Sequence, residues 1–224
     1  MKHSLLYSVS TMVIIICSIS AASSMELGKF TLARLHYGGG GDWYANPSSI
    51  PNLLKYIGEN SSIKTAKKEA RVKILDEDLF RYPILYMTGH GNVSFSNSEA
   101  LRLRQYLISG GFLFADDNYG MNDSFRRQMK KVFPDKDLVE LPFSHGIFDI
   151  HFRFPNGLPK IHEHDGKPPQ AFGIFHEGRL VVFFTYESDL GDGWEDESVH
   201  NDPLERRNAA LQMGTNVIVW ALTN

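Results

Sequence analysis

Two short stretches of this sequence hold side chains that could do chemistry at neutral pH. A histidine stands between two glycines in GHGN, residues 89–92, and two adjacent aspartates, Asp116 and Asp117, stand in ADDNYG. A carboxylate can bind a metal, act as a general base or hydrogen-bond a polyol. The His90 imidazole can carry a proton, ligate a metal or contact an anion. Gly89 and Gly91 would let the backbone approach a ligand closely, or would close a tight turn. A second histidine, His145, follows in a long loop. Ser144 beside it is no candidate nucleophile, because no G-x-S-x-G surrounds it.

Three further loops are chemically loaded. YESDLGDGWEDE, residues 186–197, gathers acids around a tryptophan. Asp189, Trp194 and Glu195 are read as lining a crevice there, since an aromatic face beside carboxylates suits a sugar. A solvated acidic loop is the rival reading, and the calcium-loop pattern D-x-D-x-D-G-x5-E is not met. GGGGDWY, residues 38–44, lacks the Lys-Ser/Thr ending of a P-loop and is not G-x-G-x-x-G before a helix. It places Asp42 and Trp43 as rim residues. IHEHD, residues 161–165, sets two histidines two apart, as on one face of a strand. It contains no H-E-x-x-H and no familiar zinc spacing, so it reads as an exposed polar loop in preference to a metal site.

The elements that must position these groups follow from periodicity. Residues 84–88, ILYMT, and 112–115, FLFA, are apolar runs expected of strands covered on both faces. Between them Ser96 and Glu99 have capping-box spacing, Ala100, Leu103 and Leu107 form a helical stripe, and Gly110-Gly111 stop the helix. This is a βαβ unit with parallel strands and a right-handed crossover. The loops leaving both strands therefore lie on one edge of the sheet, where open α/β sheets bind ligands. His90 and the aspartate pair are expected to be neighbours, although one aspartate is expected to cap the next helix. Further elements are a strand over 30–37, a helix over 47–57 and a short strand over 72–75. A helix follows over about 123–133, then irregular chain over 141–169. A hairpin over 172–187 turns at Glu177-Gly178, and a last helix is capped by Asp202 with Pro203 in its first position.

Composition sets limits. With 224 residues, 42% of them hydrophobic, the chain can build one sizeable core. A formal charge of −3 gives no footprint for nucleic acid. Residues 1–22 read as a signal peptide, with Lys2, an apolar core from Met12 to Cys17 and small residues up to Ala22. The apolar run is too short to span a bilayer comfortably, so membrane contact is expected only in transit through the export signal. Cys17 is the one cysteine. The mature chain is then expected to have no thiol, which excludes a cysteine nucleophile, a thiolate metal site and a disulfide framework.

The pattern GDWY, LFRYPILYMTGHG, LRQYLISGGFLFADD, an SH pair, EGRLVVFF, DLGDGWE and NVIVWA resembles the bacterial family called domain of unknown function 4159, over about residues 29–222. That family resembles the class I glutamine amidotransferase-like fold and, within it, the trehalose-utilisation proteins. The resemblance implies a flavodoxin-like three-layer α/β domain with a mostly parallel sheet. It puts Asp116-Asp117 where amidotransferases carry the cysteine of the nucleophile elbow, so glutaminase chemistry is expected to be absent. It puts the GHG loop where an oxyanion-forming glycine loop would lie. The chain departs from its relatives at Gly146, where they usually have proline, and at Asp192, where a smaller or sulfur-bearing residue is expected.

The expectation is an exported, periplasmic or extracellular protein of one α/β domain, residues 29–222. It binds a small polar ligand, such as a carbohydrate, or a partner segment at the carboxyl edge of its sheet. The rivals are a hydrolase or lyase acting on carbohydrate through Asp116 or Asp117 with His90 and His145, with or without a divalent metal, and a cell-envelope interaction protein. The sequence names no cofactor and no particular metal.

Overall fold

The computed structural model describes residues 28–224; the expected signal peptide lies outside the described residues. Seven strands form one sheet in the order β2-β1-β3-β4-β7-β6-β5. They are β1 (Ala33–Leu35), β2 (Ala70–Val72), β3 (Ile84–Gly89), β4 (Phe112–Asp117), β5 (Val139–Glu140), β6 (Gln170–His176) and β7 (Arg179–Tyr186). The run from β2 to β7 is parallel, and β6 is antiparallel to both its neighbours. The helices are α1 (Ser49–Asn60), α2 (Asn97–Ile108), α3 (Asn122–Val132), α4 (Leu190–Gly193), α5 (Glu197–His200) and α6 (Leu204–Thr223). None of the described helices is long and apolar enough to cross a membrane.

The two faces of the sheet are separated by strand alternation. Ile84, Tyr86, Phe112 and Phe114 point to one side, where Ile50, Leu53, Leu54 and Ile57 of α1 and Met213 and Val217 of α6 cover them. Leu85, Met87, Leu113 and Ala115 point to the other, beneath Leu103 and Leu107 of α2 and Phe125 and Met129 of α3. Both central strands are buried along their whole length. That is why they read as continuous apolar runs.

Local chemistry fixes the ends. The Ser96 hydroxyl accepts from Glu99 N while the Glu99 carboxylate accepts from Ser96 N, a complete capping box. At the other end of α2, Gly111 N donates to Tyr106 O at 3.0 Å, the six-to-one bond of a Schellman stop. The β6–β7 hairpin turns at Glu177-Gly178, both with positive φ as a type I′ turn requires.

Three expectations need correction. The second strand lies over Ala70–Val72 and not 72–75, because it pairs residue for residue with Ala33–Leu35. Lys73 N already donates to the Asp76 carboxylate in a turn. The first strand is only three residues long, and GGGG beyond it zips against the β3–α2 loop. Asp202 does not cap α6; Pro203 occupies that position, and the Asp202 carboxylate is engaged elsewhere.

Candidate functional site

The carboxyl ends of β1, β3, β4 and β7 open onto one edge of the sheet. The helix after β1 lies on one face and the helix after β3 on the other, so the chain parts between these strands and leaves a crevice. The loops after the four strands supply most of the polar groups there.

Period-two alternation sends the adjacent aspartates to different faces. Asp116 is fully buried on the side of α1 and α4. Its Oδ2 accepts from Gly191 N at 2.7 Å and its Oδ1 from the Thr185 hydroxyl, with the Tyr86 hydroxyl 3.5 Å from Oδ2. Gly191 must be glycine for this approach, since a Cβ there would lie 2.4 Å from the Tyr86 hydroxyl and 3.2 Å from Asp116 Oδ2. Burial pushes the Asp116 carboxyl up to about 6, against the pull of its two donors. Asp117 points to the α3 side and accepts from the backbone N–H groups of Tyr119, Met121 and Asn122. It holds the N–H groups that lead into α3 from outside the helix, while Met121 occupies the cap position itself. Neither carboxylate is free to attack or to deprotonate a substrate.

His90 and the aspartates do share one edge, but the partner of His90 is Asp42. The Asp42 carboxylate accepts from His90 N, and its Oδ2 lies 3.0 Å from His90 Nδ1. The His90 Nε2 lone pair then faces the Asn118 amide at 3.4 Å, which also reaches Asn46 Oδ1 at 3.5 Å. The loop glycines serve this pairing. A Cβ on Gly89, whose φ is +142°, would lie 2.4 Å from the Tyr37 hydroxyl and 2.9 Å from Asp42 Oδ1. Gly91 N donates to Tyr119 O. Gly38 and Gly41 pair with Ser94 and Asn92. The close backbone approach read from the two glycines is therefore found at Gly89, as an approach of protein to protein, while Gly91 has open space where a Cβ would lie and serves the turn through its φ of +81°.

Other expected site residues lie in the frame. His145 packs against Trp220 and near Phe175, which pairs with Leu180 at the amino end of β7. It is at the opposite edge of the sheet from His90. Trp194 is fully buried, donates to Ala210 O at 2.8 Å and packs on Tyr86 and Phe114, so it presents no sugar-stacking face. Glu195 accepts from Ser48 N and anchors the start of α1. Trp43 stacks on His36 with Arg71 over its ring, on the β2 side.

Asp189 is at the centre of the edge. It is fully buried, with φ +58°, two residues after Glu187 at the same φ. Left-handed backbone at two non-glycine residues of one loop is strained geometry of the kind found at functional sites. Its Oδ2 bonds His164 Nε2, while its Oδ1 has no hydrogen-bond partner. Burial first, then the charges of Asp116, Asp192, Asp117 and Glu187, push this carboxyl up to about 9. Asn118 Oδ1 is also buried and without a partner.

IHEHD is the stretch that the sequence undervalued. Ile161 is buried and its N–H donates to Ser188 O, while the Ser188 hydroxyl donates to Pro159 O. Lys160 bridges to Glu187 at 2.7 Å. The segment is thus laced along the loop after β7, and both histidines turn inward. His162 Nδ1 lies 2.9 Å from Asp192 Oδ2 and His162 Nε2 lies 3.0 Å from Asp202 Oδ2. Two carboxylate acceptors favour the protonated form of this ring. The hydrogen bond to Asp192 raises its pKa, against burial and with the added charges of Asp192 and Asp202. Burial raises the Asp192 carboxyl, but His162 and His200 outweigh it and hold the group below its ordinary value. His164 stacks on Tyr119 at 4.7 Å. Asn46, whose backbone carbonyl is held by the buried guanidinium of Arg34, donates to Asp192 Oδ1 at 2.6 Å and ties the two halves of the edge together.

A family model described as "Domain of unknown function (DUF4159)" matches residues 31–222. No curated protein matches the chain.

Proposed function

The chain belongs to the domain of unknown function 4159 family, and for this member we propose a ligand-binding role: an exported protein that takes a small polar molecule, with carbohydrate the favoured class, at the carboxyl edge of its sheet. The observation that carries the reading is that two of the buried side-chain oxygens without partners among the described residues, Asn118 Oδ1 and Asp189 Oδ1, come from the loops after β4 and β7. Each such group costs about 1–3 kcal/mol unless something completes its bonding. Two of them at one crevice favour a ligand rich in hydroxyl groups. The amidotransferase-like class of the fold belongs to the same reading. The strand order β2-β1-β3-β4 supports it, with the acidic pair at the end of β4 standing where that class carries its cysteine. Export rests on the character of residues 1–22.

Two acid–imidazole pairs at the same edge, Asp42–His90 and Asp189–His164, favour a second reading, a hydrolase or lyase. Its proton carriers would be His90 and His164. Asp116, Asp117 and His145 are committed to the frame and drop out of it.

The test is thermal melting of the chain, in chelator, with a panel of monosaccharides, disaccharides and polyols. A ligand at a hundred times its Kd adds about 2.7 kcal/mol. For a domain of this size that raises the Tm by about 5–11 °C. Asn118→Ala and Asp189→Asn are expected to remain folded and lose the shift. If no compound shifts the wild type, or both variants keep the shift, the reading fails and interaction with another envelope protein becomes the one to pursue.

A further inference from the structure

We propose that His162, Asp192 and His200, with Asp189 beside them, form a binding site for one divalent first-row transition ion, for which Zn2+ is the best-suited probe. The three segments meet only in the fold. His162 comes from the loop before β6, Asp192 from α4 and His200 from the end of α5. One donor atom from each lies within 4.8 Å of the others. Asp192 Oδ2 is 2.9 Å from His162 Nδ1 and 3.7 Å from His200 Nε2. Around a tetrahedral ion with bonds of about 2.0–2.1 Å, donors sit about 3.3 Å apart, so the two spacings to Asp192 bracket what one ion needs, and the two imidazole donors lie within 4.8 Å of each other. The imidazole rings meet at 61° with centroids 4.9 Å apart. Asp192 is buried, His162 half-buried and His200 exposed, so His200 opens a route for an ion from solvent.

Two observations outside this triad point the same way. His162 Nε2, on the far side of its ring, bonds Asp202 Oδ2 at 3.0 Å. A carboxylate behind a ligating imidazole fixes its orientation and raises its basicity, a recurring arrangement at metal centres. Asp189, fully buried, brings Oδ2 to 3.6 Å from His162 Nδ1 and has a second oxygen without a partner. It offers a fourth position, or holds a water that fills it. Asn46 fixes the other oxygen of Asp192 at 2.6 Å, leaving Oδ2 for the ion. On binding, the ion takes the place of the His162 Nδ1 proton, which leaves to solvent. Two imidazoles with carboxylates suit zinc, iron, nickel or copper, and disfavour calcium and magnesium, which prefer oxygen donors alone.

This site adjoins the crevice but does not depend on a sugar binding there, and the melting test in chelator examines the crevice alone. The experiment for the ion uses the chain purified with a histidine-free tag and stripped with chelator. Zn2+ is titrated by calorimetry, and Co2+ binding is followed by visible absorption. The expected result is one ion per chain, with the intense cobalt bands of a four-coordinate site. His200→Ala, at the protein surface, is expected to abolish tight binding while the circular dichroism is unchanged. Asp202→Asn is expected to weaken it by about 10–100-fold. His151→Ala and His176→Ala, away from the cluster, are expected to bind as the wild type does. Absence of Zn2+ and Co2+ binding by the wild type would overturn the proposal. So would wild-type stoichiometry and affinity in a folded His200→Ala.

Discussion

Asp116 makes the stability of this protein depend on pH in an unusual direction. Its carboxyl titrates at about 6 in the fold against an ordinary value of 3.8. The folded state thus holds the proton more tightly than the unfolded chain, and between those two values it binds more protons. Stability contributed by this group is full below about pH 4, falls as pH rises, and is lost above about pH 6. A displacement of about two pH units at about 1.36 kcal/mol per unit comes to about 3 kcal/mol. Asp116→Asn removes the ionisation and keeps the shape. The amide oxygen can accept from Gly191 N, the amide N–H can donate to the Thr185 hydroxyl, and that hydroxyl can turn to Ala115 O, 3.4 Å away. The variant is therefore expected to match or exceed the wild type at pH 7.5, by up to about 2 kcal/mol once the altered hydrogen bonds are allowed for. Its advantage should vanish by pH 4. Urea unfolding of both proteins, in chelator, at half-unit steps from pH 4 to 7.5 reads this directly as a difference between two curves. Parallel curves across that window would refute the reasoning, because Asp116 would then titrate alike in both states.

Other outcomes follow from the frame around the edge. Asp117→Ala frees three N–H groups at the start of α3 and is expected to lower unfolding stability by about 2 kcal/mol, seen in urea melts. Gly191→Ala drives a methyl toward the Tyr86 hydroxyl and Asp116; a loss of about 1–3 kcal/mol is expected, with disturbed Tyr86 and Trp194 fluorescence. His145→Ala is expected to shift the Tm slightly through lost packing on Trp220 and to leave sugar and Zn2+ responses at wild-type values, which calorimetry on the variant checks.

The parts of the fold legible in the sequence were those with a local cause. Continuous apolar runs marked β3 and β4, Ser96 and Glu99 marked the start of α2, and Glu177-Gly178 marked the hairpin. The shared edge of His90 and the aspartates followed from the handedness of one crossover. What could not be read was which side chain meets which. Asp42 and His90 are partners across two loops, and His162 finds Asp192 and Asp202 across 30 and 40 positions. No spacing rule signals such a meeting. Asn46 and Asn118 are neutral amides and carry no motif at all. Trp194 beside its acids had a sugar-site composition, but burial on Tyr86 and Phe114 decided its role. The one local hint at the histidine pair was the two-residue period of IHEHD with an apolar residue at its start.

The position of β7 has a consequence for how the molecule is made. β4 lies in mid-sheet, paired on one side with β3 and on the other with β7, which begins only at Arg179. During synthesis the amino-terminal portion emerges first. Until residues 179–186 appear, β4 presents an open edge that is apolar from Phe112 to Ala115, a template for wrong pairing. His200 and Asp202 come later still. A nascent or truncated chain therefore combines an aggregation-prone strand with an incomplete crevice, and both are resolved together when the last quarter of the polypeptide docks.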